Sequence, residues 1–392
     1  MSEIVVTGVG TVTSIGENTE EVWQGLLTGR SGAKQITSFS VDEHQNKYGC
    51  EMERIPPTVL PVDLDGLGRA TRIVLPALEE ALGDAGLSPE DLAACRTGVS
   101  IGTTMGEIEP LEEAMMQKGT AREGGPHVIV ENIVRIFGIN GPLWTITNAC
   151  AAGNLATARA MDELISGRAD IMIAGGVDAF SWAAFTGFSS LRAMTPELCR
   201  PFDINRQGLI LGEGAGLMIL ERADHAEKRS ARIRARLLGY AMNCDAHHIT
   251  QPDPAAQGAA RAMEEALKRA GIGKEAIGYV SAHGTGTPAN DRMEAEALRT
   301  VFGEAAEALP VSSIKGHIGH TLGAASAIEA VACVKALESG VLPPTINLQQ
   351  QDPACNVQVI ANKPLARQVR YMLSNAYAFG GINSSLVLGR AD

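Results

Sequence analysis

The chain has 392 residues, of which 45% are hydrophobic, 20% charged and 4% aromatic, and it contains 43 glycines. This length allows two domain-sized halves with a large core, and the composition indicates an alanine- and glycine-rich α/β enzyme. It excludes a disordered or fibrous chain. The net charge of −12, with no long basic run, argues against nucleic acid as a partner.

The cysteines and the N-terminal residues narrow the class of protein further. None of the seven cysteines forms a CxxC pair and the count is odd, which argues against a zinc ribbon and a disulfide framework. The start, "MSEIVVTGVG", lacks the basic and apolar regions of a signal peptide. No apolar run approaches the ~18 residues of a membrane span. We therefore expect a soluble, cytoplasmic protein.

The first predicted element is a buried strand over residues 3–10, which we expect to end in a tight turn at Gly8 and Gly10. A nucleotide-binding loop is disfavoured, because Thr13 replaces the third glycine of a GxGxxG motif and no clear ribose-binding acid follows. Further along, the glycine-rich run 208–222 predicts a strand pair, or a strand with close backbone contacts.

Strands and helices alternate along the rest of the chain. Helical periodicity covers residues 70–86, 151–167, 257–270, 291–302 and 323–340. Strand-like runs cover residues 97–103, 170–180, 216–222, 233–243, 277–284 and 371–381. This alternation predicts parallel sheets covered by helices. A polar stretch with two prolines, residues 243–258, predicts a division into halves at 1–245 and 246–392.

The stretch "TNACAAGN" places Cys150 between an extended segment, residues 142–148, and a strong helix-forming sequence. The free N–H groups and the positive dipole end of a helix start favour a thiolate at this position. The small neighbours leave room for a substrate. Cysteine is also among the most buried residue types, so from this stretch alone an inert, packed thiol is an equal alternative.

Three further stretches place reactive side chains close to glycine-rich turns. In "SAHGTGTPANDRMEAEA" a strand ends at His283, where α/β folds build sites. In "VSSIKGHIGHTLGAAS" a strand ends at Lys315, and His320 lies near the next helix. The "FGG" of "SNAYAFGGINSS" indicates a sharp turn or a close backbone approach, with N–H groups for half of an oxyanion hole. A thiol, two imidazoles and an ammonium predict acyl transfer through a thioester.

Together these stretches resemble the β-ketoacyl-acyl-carrier-protein synthases, condensing enzymes of the thiolase-like superfamily. The resemblance covers nearly the whole chain, since the family's order and spacing are kept by "GPLWTITNACAAG", "RPFDINRQGLILGEGAG", "AHGTGTP", "KGHIGHTLGAAS" and "FGGINSS". It implies a five-layered αβαβα fold of two similarly folded halves. It also implies a dimer, with an identical chain or with a chain-length-factor-like subunit. An acyl carrier protein would present the substrates on phosphopantetheine, with no other cofactor and no metal.

The resemblance implies an activity and residue roles. The activity is decarboxylative Claisen condensation of a Cys-bound acyl group with a malonyl thioester. Cys150 matches the nucleophile, His283 and His320 the pair that binds the malonyl carbonyl, and Lys315 the lysine that supports them. The other candidates are Glu294 and Glu329 as supporting acids, Phe379 as the gate whose N–H joins that of Cys150 in the oxyanion hole, Thr285 and Thr287 as phosphopantetheine contacts, Met105 in the acyl pocket, and Arg69 and Arg72 for carrier-protein docking.

Departures from the family pattern leave the substrate open. Ala151 and Ala152 replace the usual hydroxyl residue after the cysteine, and "AFGGIN" replaces "GFGGTN". A degradative thiolase would carry a second cysteine in the latter stretch, and an initiating synthase would lack His320. A weakly or non-catalytic chain-length-factor-like subunit typically lacks the cysteine and is the remaining alternative. Fatty-acid and polyketide or polyene pathways both stay possible.

Several other residues are expected to be structural. They are Cys199, Cys244 and Cys333 as core thiols, His247 and His248 as structural residues or residues near the entrance, and Glu213 as a buried acid that ties loops together. The two histidines have no third ligand nearby, which argues against a metal. For Arg69 and Arg72, intramolecular ion pairs are the alternative to carrier-protein docking.

Overall fold

The computed structural model describes residues 3–60, 62–116 and 122–391. The strands are β1 Ile4–Thr13, β2 Lys34–Gln35, β3 Tyr48–Gly49, β4 Thr97–Gly102, β5 Leu143–Ile146, β6 Ile171–Asp178, β7 Gly214–Arg222, β8 Ala235–Cys244, β9 Ile277–Ser281, β10 Pro310–Ser312, β11 Val341–Leu342, β12 Gln358–Val359, β13 Leu365–Ala366, β14 Tyr371–Ala378 and β15 Ile382–Arg390. The helices are α1 Thr19–Leu27, α2 Arg69–Ala85, α3 Pro89–Ala94, α4 Glu109–Met115, α5 Pro126–Phe137, α6 Ala152–Ile165, α7 Trp182–Ser190, α8 Ala223–Lys228, α9 Gln257–Ala270, α10 Pro288–Phe302, α11 Lys315–Ile318 and α12 Ala325–Ser339. No helix in these described ranges is long and apolar enough to cross a membrane.

The main sheet contains the same strand arrangement twice. Its order is β12-β10-β9-β14-β15-β8-β1-β7-β6-β4-β5. In the first half, β1–β7 and β7–β6 pair antiparallel, whereas β6–β4 and β4–β5 pair parallel. In the second half, β8–β15 and β15–β14 pair antiparallel, whereas β14–β9 and β9–β10 pair parallel. The two repeats meet where β1 pairs antiparallel with β8.

This topology differs from two expectations. The sheet is mixed, not parallel, because the last long strand of each repeat, β7 or β15, runs antiparallel between its two neighbours. Strand β8 is the first strand of the second repeat, so residues 235–244 belong to that repeat by their pairing. The strand topology therefore divides the repeats earlier than the expected position at residue 245.

Strand β1 continues through its two glycines, so the expected tight turn there is wrong. Helix α2 crosses β1 at this point. A Cβ atom on Gly8 would lie 2.1 Å from the carbonyl oxygen of Ala81, and one on Gly10 would lie 1.9 Å from that of Ala77. The glycines are therefore required by the close approach of helix and strand, which local sequence reasoning interpreted as a turn.

Three apolar clusters fill the four interfaces between five layers of secondary structure, because one cluster surrounds the central helices on both sides. Alternate residues of β6 serve two of them: Met172 and Ala174 pack with α6 and α12, whereas Ile171 and Ile173 pack with α2 and α5. The third cluster packs α9 and α10 against the outer face of the second repeat. Helices α6 and α12 thus form the central layer of the αβαβα arrangement that the resemblance predicted.

Small residues let the two central helices approach closely. A Cβ atom on Gly153 would lie 2.7 Å from the backbone nitrogen of Ala327 and 2.8 Å from Oγ of Ser326. Helix α6 follows β5, and α12 follows β10 after the short α11. Cys150 and His320, which precede α6 and α12, therefore come from equivalent places in the two repeats.

Candidate active site

Cys150 lies in a single 3-10 turn, Ala149–Ala151, between β5 and α6. Ala149 has a φ of 47°, a left-handed conformation that costs a non-glycine residue about 1–3 kcal/mol and marks a sharp, constrained turn. Burial raises the pKa of the Cys150 thiol to about 12, although the nearby Lys315 ammonium acts in the opposite direction. Of the two alternatives that the sequence left open, desolvation therefore outweighs the effect of the helix start, and the thiol of the free site is protonated.

The rings of two histidines lie close to this thiol. Cys150 Sγ and a ring nitrogen of both His283 and His320 lie within 4.8 Å of one another. The two imidazoles contact edge to face, with ring centroids 5.4 Å apart. Burial lowers the pKa of both rings well below 6.5, and the Lys315 ammonium lowers it further. Both histidines are therefore neutral at pH 7.

The contacts of the rings define which nitrogen carries the proton. The backbone N–H of Leu322 donates to His320 Nδ1 at 3.2 Å. Lys315 Nζ lies 3.3 Å from His283 Nδ1, and an ammonium can only donate. Each Nδ1 is thus an acceptor, so each neutral ring carries its proton on Nε2. Both histidines offer an Nε2–H donor in the cavity that they line.

Lys315 is enclosed by acceptors. Besides His283 Nδ1, its ammonium donates to the His283 carbonyl oxygen at 2.6 Å and to Glu329 Oε1. Burial raises the pKa of Glu329 to about 7, against the attraction of the lysine. Glu294 accepts the backbone N–H groups of His283 at 2.9 Å and Gly284 at 2.8 Å, and burial raises its pKa to about 8. The two acids therefore fix the lysine and the His283 backbone.

A cavity of about 270 Å³ connects the reactive groups with the surface. Thr285 and Thr287 line it, and their hydroxyl oxygens are 2.9 Å apart. Phe379 also lines it and stacks on Phe188, with ring centroids 5.6 Å apart. The structure thus brings the predicted phosphopantetheine contacts and the predicted gate into the same cavity as Cys150.

The turn after the gate is built from glycines, as expected. Gly380 and Gly381 have φ angles of 85° and 75° between β14 and β15. The Gly380 N–H donates to the Ile249 carbonyl oxygen at 2.8 Å, and the Asp245 N–H donates to that of Gly381 at 2.7 Å. The loop that follows β8, residues 245–252, therefore clamps this turn. Its residues Thr250, Gln251 and Pro252 line the cavity.

The two arginines predicted for docking are engaged within the chain. Arg69 donates to both carboxylate oxygens of Glu213, at 2.8 and 2.6 Å. Glu213 also accepts the Met52 N–H at 2.8 Å, so it ties loops together as predicted. Arg72 lies 3.5 Å from Glu109. Neither arginine lines the cavity. The intramolecular alternative thus replaces the docking interpretation of Arg69, since its guanidinium already binds a buried carboxylate.

Other sequence expectations have mixed outcomes. Cys199 and Cys333 are buried, as predicted for core thiols. Cys244 is exposed, so its prediction as a core thiol is wrong; it ends β8, where the chain leaves the sheet. His247 and His248 are exposed in the loop whose following residues line the cavity.

Met105 lies outside the lining of the catalytic cavity. It is partly buried against an apolar cluster that includes Phe185 and Leu322. Its backbone N–H donates to Asp178 at 2.9 Å. The role of Met105 in an acyl pocket therefore stays a prediction.

Sequence reasoning missed three residues at or near the cavity. Tyr377 lines it and contacts the His283 ring edge to face, with centroids 5.8 Å apart. Arg192 is exposed and also lines it. Asp178 is fully buried at the end of β6. Only Asp178 had a usable signal, because acids at the carboxyl ends of strands often serve sites in α/β folds.

A buried thiol beside two N–H donors and a lysine–carboxylate network, on a thiolase-like fold, defines an enzyme that transfers acyl groups through a cysteine thioester. The family model "Beta-ketoacyl synthase, N-terminal domain" matches residues 1–226, and "Beta-ketoacyl synthase, C-terminal domain" matches residues 234–349. The chain therefore belongs to the beta-ketoacyl synthase family. Its activity is that of an acyltransferase that forms β-ketoacyl thioesters on an acyl carrier protein.

Similar proteins agree with this assignment. The chain is 37% identical to "Nodulation protein E" of Rhizobium meliloti strain 1021, over 98% of each chain. It is 38% identical to "3-oxoacyl-[acyl-carrier-protein] synthase 2" of Synechocystis sp., over 98% of this chain and 97% of the other. Among solved structures, "The ishigamide ketosynthase/chain length factor" matches with a TM-score of 0.94 at 38% identity, covering 100% of both chains. A type II PKS ketosynthase solved with its acyl-carrier protein, AntDE:AntF, matches with a TM-score of 0.91 at 31% identity, covering 100% of both chains.

Proposed function

We propose that Cys150 accepts the acyl group and that His283 and His320 act together on the malonyl thioester in a decarboxylative condensation. The observation that carries this proposal is the meeting of Cys150 Sγ with a ring nitrogen of each histidine within 4.8 Å. Both rings are neutral and protonated on Nε2, which suits donors to a developing oxyanion.

Acylation comes first. Sγ of Cys150 attacks the carbonyl carbon of an acyl thioester on the carrier arm, and the carbon–sulfur bond of that thioester breaks. The Sγ proton passes to the leaving pantetheine sulfur, because the buried thiol is protonated and the histidine Nε2 atoms already carry hydrogens. We assign the backbone N–H groups of Cys150 and Phe379 to the intermediate's oxyanion.

Decarboxylation and condensation follow on the acylated enzyme. The bond between the malonyl carboxylate and Cα breaks, CO₂ leaves, and the electron pair forms an enolate on the thioester oxygen. The Nε2–H groups of His283 and His320 stabilise that oxygen; one such donor is worth about 2.7–4 kcal/mol in related sites. The enolate carbon attacks the acyl carbonyl, and Cys150 leaves as a thiolate near the charge of Lys315, which favours the ionised thiol.

The substrates arrive on the phosphopantetheine of an acyl carrier protein. Thr285 and Thr287 are our proposed contacts for that arm, since both hydroxyls lie along the cavity. At the mouth, the exposed Arg192 has no ion-pair partner among the residues that the structure describes. We therefore propose Arg192 as a docking residue for the acidic carrier, in place of Arg69. Acidic carriers favour a local basic group on this chain of net charge −12.

A dimer is part of this proposal. Strand β5 is the edge of the main sheet, and its residues Leu143 and Trp144 are 46% and 37% exposed. An exposed edge strand with apolar side chains is a ready surface for a second chain. The similar structures named above include a ketosynthase/chain length factor. We therefore propose that this edge pairs with a second copy of the chain or with a chain-length-factor-like subunit. The pathway, fatty acid or polyketide and polyene, stays open, and the cytoplasmic location stays a prediction.

A mass measurement separates this function from that of a chain-length-factor-like subunit. We expect the chain to gain one acyl group on Cys150 when mixed with an acyl carrier thioester, and to release it as β-ketoacyl product after malonyl carrier thioester is added. The matched control is Cys150→Ala, which should gain no acyl group. A wild-type chain that stays unacylated would support the non-catalytic alternative.

A further inference from the structure

A buried carboxylate at the end of β6 collects hydrogen bonds from two loops beside the cysteine. Asp178 is fully buried. One of its oxygens accepts from Thr103 Oγ1 at 2.8 Å and from the Met105 N–H at 2.9 Å. The other accepts from the Thr104 N–H at 2.8 Å and from the Gly323 N–H at 2.6 Å. Four donors thus converge on one ionised side chain, which is an acceptor only.

One of these loops determines which ring nitrogen of His320 carries the proton. Gly323 follows Leu322, whose N–H donates to His320 Nδ1 and whose φ of 52° bends the chain sharply. The loops also touch, since a Cβ atom on Gly323 would lie 2.6 Å from the Thr104 nitrogen. Holding the Gly323 N–H therefore places the Leu322 N–H, which keeps the His320 proton on Nε2.

The other loop forms an apolar wall near the cysteine. Met105 packs in a cluster with Leu322, Phe185 and Leu209. Leu209 lines the catalytic cavity together with Cys150. Leu322 therefore contacts the wall with its side chain and the histidine with its backbone. The carboxylate lies where these two parts of the site join.

We propose that Asp178 is a positioning residue for decarboxylation, which holds the Gly323 and Met105 backbones so that His320 presents its Nε2–H donor to the enolate. This inference rests on the proposed function, which assigns His320 to the malonyl half-reaction. Asp178 acts through its neighbours and takes no part in bond making.

The two half-reactions should respond differently to loss of this carboxylate. The negative charge of Asp178 raises the pKa of Cys150, so its removal does not disfavour attack by sulfur. The His320 donor, by contrast, loses its support. A general structural defect would reduce both half-reactions together, whereas a positioning role reduces decarboxylation alone.

The test is Asp178→Asn, which keeps the size but turns an NH₂ group either toward the Thr104 and Gly323 N–H donors or toward the Met105 N–H and the Thr103 hydroxyl. Decarboxylation of malonyl carrier thioester is measured with Asp178→Asn in a Cys150→Gln background, against Cys150→Gln alone. Acylation is measured by mass in the single variant. We expect kcat for decarboxylation to fall about 10²-fold, the loss that a small misplacement of a catalytic group can cause. The KM for malonyl carrier thioester and the rate of acylation should stay unchanged.

Two further variants make the result decisive. Glu107→Gln is the matched control, because Glu107 is also a buried carboxylate that accepts backbone N–H groups, those of Ala70 and Thr71 at the start of α2. Glu107→Gln should lower the free energy of unfolding without reducing decarboxylation more than acylation. Gly323→Ala keeps the carboxylate itself but pushes apart the two loops that it binds, because the added Cβ would lie 2.6 Å from the Thr104 nitrogen. It should show the same difference between the half-reactions even if Asp178→Asn does not fold.

Equal losses in both half-reactions, or wild-type decarboxylation by folded Asp178→Asn, would overturn the positioning role. Failure of the wild-type chain in either half-reaction would instead overturn the proposed function, so the two failures are distinguishable.

Discussion

Replacing Lys315 with Met removes an ammonium that donates to three buried acceptors. The His283 carbonyl oxygen, His283 Nδ1 and Glu329 Oε1 each lose their donor, and Lys315 and Glu329 are both 1% exposed. Each unsatisfied buried group costs about 1–3 kcal/mol, and breaking a buried ion pair typically costs about 3–5 kcal/mol. We therefore expect Lys315→Met to lower the free energy of unfolding by about 3–5 kcal/mol.

The companion variant Lys315→Met/Glu329→Gln separates the fold from the chemistry. The double variant contains no unpaired buried carboxylate, so it should recover most of the lost stability. It should not recover decarboxylation, because His283 Nδ1 still lacks the donor that keeps its proton on Nε2. One missing oxyanion donor lowers kcat by about 10²–10³. We expect that loss in both variants.

The pH dependence of stability tests whether the unpaired charge in Lys315→Met lies on Glu329. Burial raises the folded pKa of Glu329 above its ordinary value of 4.5, to about 7 in the presence of Lys315, and loss of the lysine raises it further. A raised acid pKa means that stability falls as pH rises from the unfolded value through the folded one. The deficit of Lys315→Met should thus be smaller at pH 6 than at pH 8, and Glu329→Gln should abolish that difference.

The measurements are urea unfolding at both pH values and malonyl decarboxylation in a Cys150→Gln background. Full decarboxylation by a folded Lys315→Met protein would refute the argument that the lysine defines the tautomer of His283. A double variant as unstable as the single one would show that the cost lies in packing and not in the charge of Glu329.

Three other predictions concern the nucleophile, the histidines and the carrier. Cys150→Ala should abolish condensation while Cys150→Gln keeps malonyl decarboxylation, measured as CO₂ release; condensation by Cys150→Ala at the wild-type rate would contradict the nucleophile assignment. Because burial holds the pKa of both His283 and His320 well below 6.5, neither imidazole should titrate between pH 6.5 and 8. The pKa of Glu329 is about 7 and that of Glu294 about 8, so decarboxylation by Cys150→Gln is compared with the same variant carrying Glu329→Gln and Glu294→Gln, which should be flat over this range. An acid limb near 6.5 that persists without these two acids would show that a histidine titrates normally. Arg192→Glu should raise KM for carrier-bound substrate about tenfold, roughly 1.4 kcal/mol, and leave turnover of a pantetheine thioester unchanged; the wild-type carrier interaction should weaken with salt. Equal losses on both substrates would place Arg192 in folding or chemistry.

The sequence alone determined most local elements and the reactive residue types. Helix α9 covers Gln257–Ala270, as its apolar periodicity predicted, because an amphipathic stripe is a local property. The glycine turn after Phe379 was also predictable, since Gly380 and Gly381 adopt positive φ that other residues avoid. The thiol, the two imidazoles and the ammonium are visible as residues of a chemical class. Their order along the chain indicated the family.

Only the tertiary structure decided the electrostatics and the pairings between distant residues. Gly8 and Gly10 looked like a turn, but helix α2 approaches β1 there. Arg69 looked available for a partner, but a carboxylate 144 residues away binds it. For Cys150 the sequence left an activated thiol and a packed thiol as equal alternatives, whereas in the structure its pKa rises to about 12 because folding removes it from water. A side chain's charge state depends on burial and on neighbours far along the chain, and local sequence contains neither.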